Sequence, residues 1–336
     1  MGRQIKFGVG IIGCGLIGQK RANALGRYGK LVACSDITKS RAKKVGKKTN
    51  VKIFSNWKNL LKLPEVKIVV ICTFNNFLTK IALESIKHGK HVLIEKPVAK
   101  KASEIKSLIN LLKKNKEVKV RVGFNLRYHP AIIKAKSMIK NKKLGELMYI
   151  RARYGHGGRL GYNKEWRAKP KLSGGGELID QGSHLIDLSR WFLGNISKVK
   201  ASIHTFFWDM PVEDNAFITL RMQKNKIAFL HASCTEWKNK FSLEIYGKKG
   251  KINIDGLGGS YGREKLIWYK MSPRMGKPKI ITWKFSNNDN SWSSEMEDFY
   301  KDIKLNRKPS VGLIEAYEVL KVINKIYKQS NYDYIT

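Results

Sequence analysis

The chain reads as an α/β protein: an N-terminal Rossmann-type, doubly wound parallel sheet, then a C-terminal α+β domain with a large, mainly antiparallel sheet. Three observations carry this reading. Apolar strand-like runs alternate with amphipathic helix patterns over residues 1–124, as in a parallel sheet covered on both faces. The segment "GIIGCGLIGQKRANAL" sets a G-x-G-x-x-G between the first strand and the first helix. Beyond Asn125 the apolar runs shorten and alternate with polar residues, joined by short turns, which is the pattern of antiparallel strands.

In chain order, "KFGVGII" is the first strand and "LIGQKRANALGRYG" the first helix. "KLVACSD" is a strand and "SRAKKVGKK" a helix. The strands "VKIVVICT", "HVLIEKP" and "VKVRVGFN" are then separated by helices over "FLTKIALESIKHGK" and "SEIKSLINLLKKNK". These elements make a first domain of residues 1–124. The second domain, 125–336, opens with a helix in "HPAIIKAKSMIKNKKLG", a strand in "ELMYIRARYG" and a Gly-rich loop. A helix over 177–194 follows. Strands in "KVKASIHTFFW", "NAFITLRM", "KIAFLHASCTEW", "FSLEIYG" and "KINIDG" come next, with "GKKG" a hairpin turn. Helices near 293–305 and 312–329 close the chain.

A chain of 336 residues has room for two ordinary domains, and 42% hydrophobic residues suit a folded globular protein. No apolar run reaches the length of about 18 residues that a membrane-spanning helix needs, and no secretory signal is apparent. The four cysteines, Cys14, Cys34, Cys72 and Cys234, have no metal-ligand spacing. No metal is expected, and a reducing cytoplasm fits them. Sixty-six Lys and Arg against 26 Asp and Glu give a net charge of +40. The excess is spread along the whole chain, mostly as Lys on helix surfaces, and no nucleic-acid-binding motif accompanies it. A specific nucleic-acid or membrane partner is therefore not expected.

Two G-x-G-x-x-G frames overlap, one at Gly8, Gly10 and Gly13, the other at Gly13, Gly15 and Gly18. Only the second follows a strand and opens a helix. Its first glycine allows a tight turn, its second admits a pyrophosphate, and its third lets helix pack on strand. The backbone from Gly13 through Leu16 and Ile17 to Gly18 is the expected cradle for a dinucleotide, with the helix N-terminus facing the anion. Asp36 ends the second strand, 18 residues beyond Gly18. A carboxylate there accepts ribose hydroxyls and repels a 2′-phosphate, which favours NAD, while Lys39 and Arg41 leave NADP open.

Glu95, Lys96 and Pro97 stand at the C-terminal end of a parallel strand, the edge at which such sheets bind ligands. Pro97 keeps Lys96 out of helical angles, so the lysine can project into the crevice. A desolvated lysine can take part in proton transfer. In the helix over 177–194, Asp180, His184 and Asp187 recur at spacings of four and three and share one face. A solvated helix face is the plain alternative.

In order and spacing, the glycine-rich turn, the "EKP" strand end and "GGGELIDQGSHLIDLSRWFLG" resemble the Gfo/Idh/MocA family over essentially the whole chain. These are the relatives of glucose–fructose oxidoreductase and inositol dehydrogenase. The family's "EKP" maps onto Glu95-Lys96-Pro97 and its "D-x-G-x-H" onto Asp180, Gly182 and His184. The resemblance implies that Lys96, Asp180 and His184 meet as the catalytic group in a cleft between domains. Asp180 would orient the imidazole, and His184 or Lys96 would take the hydroxyl proton as hydride leaves for nicotinamide. Asp187 would cap or solvate the helix. Thr73, Asn75, Glu95 and Lys96 join the cofactor set. Here the sequence departs from the family's "TPN" and following His, since Phe74 replaces the Pro and Leu78 the His.

Lys96, Asn125, Trp166, Arg167, Asp180 and His184 form the expected substrate set, with His156 a further lining candidate. Arg167 beside Trp166 suits a polar or anionic substrate such as a sugar acid or sugar nucleotide. Arg151 and Arg153 belong to the outward face of an alternating strand. The function implied is NAD(P)-dependent hydride transfer at a secondary alcohol of a sugar, an inositol-like polyol or a sugar nucleotide. A non-catalytic dinucleotide-binding sensor of the same fold is the alternative, though a sensor has no need of the catalytic trio. Self-association as a homodimer or homotetramer is expected through the C-terminal sheet, whose outward positions include Phe206, Trp208 and Phe217.

Overall fold

The computed structural model describes residues 6–47, 51–330 and 332. They fall into two compact units. The first holds the described residues through Asn125 together with Trp292–Leu320; the second holds Leu126–Ser291 and the described residues from Lys321 on.

In the first unit the chain runs β1 (Phe7–Ile12), α1 (Leu16–Asn23), β2 (Gly29–Ser35), α2 (Lys39–Gly46), β3 (Lys52–Phe54), α3 (Trp57–Leu61), β4 (Ile68–Ile71), α4 (Asn75–Lys87), β5 (His91–Glu95), α5 (Ala102–Lys114) and β6 (Val120–Gly123). The six strands pair in parallel in the order β3-β2-β1-β4-β5-β6. The central strands are buried on both faces: every residue of "IVVI" in β4 is wholly buried. That explains why they read as unbroken apolar runs. The strand order reverses between β1 and β4, so the loop after β1 opens at the switch point where such sheets bind ligands.

The second unit holds α6 (Pro130–Lys140), β7 (Leu147–Gly155), α7 (Pro170–Ser173), α8 (Ser183–Leu193), β8 (Ile196–His204), β9 (Asn215–Met222), β10 (Ile227–Ser233), β11 (Lys240–Gly247), β12 (Gly250–Asp255), β13 (Lys265–Lys270) and β14 (Lys279–Lys284). Its eight-stranded sheet has the order β14-β13-β12-β11-β7-β10-β9-β8. It is mixed, because β7 and β10 run parallel while the other neighbours are antiparallel. One face is covered by α8, which lies on β7 and β10, and by α6, which lies on β12 and β13.

Two helices close the chain, α9 (Ser291–Lys304) and α10 (Leu313–Gln329). The chain returns to the first unit at Trp292, a second boundary with no counterpart in the sequence reading of one division after residue 124. The reason is hydrophobic: Met296, Phe299 and Tyr300 of α9 are buried in one cluster with Val9, Ile11, Val70 and Leu93 of the parallel sheet. Tyr300 stacks on Phe7 with ring centroids 5.5 Å apart. Trp208 also departs from expectation. It is partly buried against Tyr162 and Val212, and its Nε1 donates to the Cys234 carbonyl at 3.0 Å. Phe217 is exposed on β9 as expected, whereas Phe206 is exposed in the loop beyond β8 and not on the sheet.

Candidate active site

The loop between β1 and α1 is shaped by its glycines. Gly13 has φ +89°, and a Cβ there would stand 2.5 Å from the Cys72 carbonyl oxygen, so this tight turn needs glycine. A Cβ on Gly18 would stand 2.0 Å from the Gly13 carbonyl oxygen, so the absence of a side chain sets how closely α1 packs on the loop. At Gly15, the N-cap of α1, nothing lies within 4 Å of the Cβ position, and no side chain caps the helix. The first amides of α1 and the positive end of its dipole therefore border open space, which fits a pyrophosphate. Leu16 at that helix start is exposed and Ile17 half-buried.

Asp36, just past β2, accepts from the Cys14 N–H through Oδ2 and from the Thr38 N–H through Oδ1, both at 2.7 Å. Each carboxylate oxygen keeps a second lone pair, so the residue that ties down the loop can still accept from a ribose hydroxyl. Thr73 precedes α4 and Asn75 begins it. Leu78, where the sequence departs from the family pattern, is a wholly buried core residue.

Glu95 ends β5 with its carboxylate 2.6 Å from Nε of Arg21, whose Nη1 is 2.6 Å from Oε2 of Glu295. The guanidinium is 1% exposed and lies 4.5 Å from the Trp292 ring centroid. A charge buried this deeply needs partners, and here two carboxylates bind α1, β5 and α9 together through one arginine. Lys96 follows, half-buried, ahead of the buried Pro97.

In the second unit the segment Leu178–Gly182 widens into a π turn that runs into α8. Such turns are frequent at functional sites. Asp180 lies in the π turn and His184 in the first turn of α8. Oδ2 of Asp180 accepts from Nε of Arg167 at 2.9 Å, and the Arg167 guanidinium stacks over Trp166, 4.7 Å from the ring centroid. His184 is 4% exposed, which excludes a solvated helix face. Tyr154 meets its ring edge-on at 5.9 Å, and Tyr261 lies 5.4 Å from Tyr154. Burial, with Tyr261 beside it, holds the Tyr154 phenol well above the ordinary tyrosine range, so it stays a neutral hydroxyl.

Glu177 accepts from the Tyr162 hydroxyl at 2.7 Å, and His156 Nε2 lies 3.5 Å from the same oxygen. Burial works to lower the His156 pKa, but Glu177 and then Asp180 reverse the sign and leave it raised. Asp187 neither caps nor solvates its helix. It is 1% exposed and takes a bidentate pair from Arg127 at 2.7 and 2.6 Å, anchoring α8 to the segment before α6. Arg151 and Arg153 point outward as expected, with Arg151 Nε 2.7 Å from Glu244 across the strand pair.

Two family models match in tandem: an oxidoreductase family, NAD-binding Rossmann fold model over residues 7–124, and a GFO/IDH/MocA C-terminal domain model over residues 132–253. The chain belongs to the Gfo/Idh/MocA family. Among curated Gfo/Idh/MocA relatives, levoglucosan dehydrogenase of Pseudarthrobacter phenanthrenivorans is 27% identical over 225 residues. That match spans 59% of this chain and 57% of the relative, a little over half its length. Glucose-6-phosphate 3-dehydrogenase of Bacillus subtilis is 34% identical over 72% of each chain. A solved structure of levoglucosan dehydrogenase in complex with NADH and levoglucosan superposes with a TM-score of 0.87 and 21% identity, covering 97% of both chains.

Sequence reasoning missed three features of this candidate site. The contact of Tyr154 with His184 was legible in principle, because strand alternation turns Tyr154 inward once Arg151 and Arg153 point out. Tyr261 sits in a loop crowded with positive-φ glycines, at Gly256, Gly258, Gly259 and Gly262, and no local pattern links that loop to His184. The pairing of Arg167 with Asp180 spans two irregular segments and has no periodic signal.

Proposed function

We propose that this Gfo/Idh/MocA protein is an NAD-dependent dehydrogenase acting at a secondary alcohol or ketone carbon of a sugar or polyol. The observation that carries the reading is the turn holding Asp180 and His184: a carboxylate fixed by Arg167, and one turn on a buried imidazole against Tyr154. When bound, the nicotinamide accepts or gives the hydride. His184 takes the hydroxyl proton in the oxidative direction, with Lys96 the second group able to move it. Asp180 steadies the protonated imidazole. The cofactor would be held by Gly13, Gly15, Leu16, Ile17, Gly18 and Asp36, with Thr73, Asn75 and Lys96 completing the set, and Glu95 would act through Arg21. Asn125, Trp166 and Arg167 complete the substrate contacts.

Asp180 at 2.9 Å and Glu165 at 4.0 Å together outweigh the Arg167 charge, which favours a neutral polyhydroxylated substrate over an anionic one. Asp36 favours NAD over NADP. The test is a panel of levoglucosan, myo-inositol, glucose, glucose 6-phosphate and a UDP-sugar, each with NAD and NADP, read by NAD(P)H absorbance. Turnover of a neutral sugar or polyol, with higher kcat/KM for NAD, is expected. NADH binding with no turnover on any member would favour the sensor instead.

A further inference from the structure

We propose that Glu213 is a positioning residue of the active site, fixing the start of the turn that carries Asp180 and His184. Its effect on rate rests on the catalytic assignment above; its effect on the turn does not.

Glu213 lies between β8 and β9 and is wholly buried. Its Oε1 accepts from the Gly176 and Leu178 amides, each at 3.0 Å, and from the Tyr327 hydroxyl at 2.8 Å. Its Oε2 lies 3.1 Å from the Gly176 nitrogen. Its backbone carbonyl accepts from the Glu177 amide at 3.0 Å. One residue thus satisfies three consecutive amides at the entry to the π turn. These are the donors that a helix start leaves without partners. Asp180 follows two residues later, its own amide bonded to the Gly176 carbonyl at 3.1 Å.

The glycine triplet before the turn now has a reason. Gly175 has φ +149°, and a Cβ there would stand 1.9 Å from the Tyr327 hydroxyl oxygen. A Cβ on Gly176 would stand 2.0 Å from the Glu213 carbonyl oxygen. Only glycines let this backbone close onto Glu213 and Tyr327. An apolar residue at 213 keeps the backbone carbonyl that serves Glu177 but leaves the Gly176 and Leu178 amides and the Tyr327 hydroxyl unmet, each at a cost of about 1–3 kcal/mol in general. Burial pushes the Glu213 carboxyl up to about 7, against the pull of Tyr327 and the backbone amides. Tyr327 is the titratable side chain bonded to it among the described residues. A glutamine is therefore a close mimic that keeps Oε1 as acceptor.

The experiment compares wild type, Glu213→Gln and Glu213→Ala by amide hydrogen exchange over residues 173–184, and by kcat and KM on the best substrate of the panel. Glu213→Ala should speed exchange at Gly176 and Leu178 by about tenfold and lower kcat by about tenfold with little change in KM for NAD. Glu213→Gln should restore both. Wild-type exchange in Glu213→Ala overturns the proposal, as does a loosened turn with unchanged kcat. If the alanine variant does not fold, Glu213→Asp, one methylene shorter, replaces it with the same expectations. If no panel member turns over, exchange alone decides, so the dehydrogenase reading can fail while the clamp stands.

Discussion

His184 and Glu213 are both buried side chains of the second unit, and their environments predict opposite kinds of sensitivity. His184 sits against a neutral tyrosine, one turn beyond a carboxylate held by Arg167. His184→Ala should lower kcat by about 10²–10⁴-fold, the usual worth of a positioned acid–base group. NADH binding, followed by fluorescence, should hold, because the cradle belongs to the first unit; near-wild-type turnover would remove His184 from the proton path. Arg167→Ala should also slow turnover, and Arg167→Lys should recover little of it, since an ammonium cannot both stack on Trp166 and donate from a planar fork. Full recovery by lysine would reduce Arg167 to a point charge. Glu213 reports through stability. Its folded pKa is raised from 4.5 to about 7. The neutral form's contribution is thus complete below the unfolded value and is lost as pH rises through the folded one. Glutamine does not ionise, so the Tm of Glu213→Gln relative to wild type should climb between pH 5 and pH 8. A constant difference would show that Glu213 does not titrate in this window.

At the scale of elements, the legible parts were those with a strong period or a backbone demand. Gly13, Gly15 and Gly18 were readable because each occupies a position where a Cβ clashes or where open space is needed. The α8 segment was readable from its spacing, although the π turn at its start was not, since it arises from amides held by a distant residue. Two stretches gave no signal. β3 is a three-residue edge strand and α3 has only five residues, too short for any periodicity to show. β13 and β14 sit at the outer end of the second sheet, and β14 is exposed or half-exposed at every position, so its alternation carries no buried face. The return of α9 to the first unit was hidden for another reason: an amphipathic helix shows that it has a partner, not which one. The glycine turn yields the element's own prediction. Gly18→Ala should push α1 off its loop, costing about 1–3 kcal/mol of stability as other overpacked sites do. It should also weaken NADH binding. Denaturant unfolding together with NADH titration checks both, and unchanged affinity would mean that the loop bends without losing its shape.

For the whole molecule, the problem is how a chain of net charge +40 could associate with itself. Like-charged copies repel, and the repulsion weakens as salt shortens the Debye length to about 10 Å at 0.1 M. The outer face of the second sheet carries exposed aromatics that a second copy could cover. Along β7, β10 and β9 the outward residues meet in register as Tyr149, Ile227 and Arg221, then Arg151, Phe229 and Thr219, then Arg153, His231 and Phe217. Arg151 is neutralised by Glu244, and Arg153 lies 3.6 Å from Glu236. Phe217 stacks on His231 at 4.3 Å, while Phe229 is 53% exposed. A stretch whose exposed aromatics lie beside the internally paired Arg151 and Arg153 is one that a second copy can cover. The expected outcome is a dimer or tetramer in sedimentation at micromolar concentration, strengthening from low salt to about 0.3 M NaCl as screening removes the long-range repulsion. Phe229→Lys should abolish it without moving NADH affinity, because the variant adds a buried unpaired charge to the contact and leaves the first unit alone. A 38.4 kDa monomer at every salt concentration would leave this face solvent-exposed, with its aromatics unexplained by self-association.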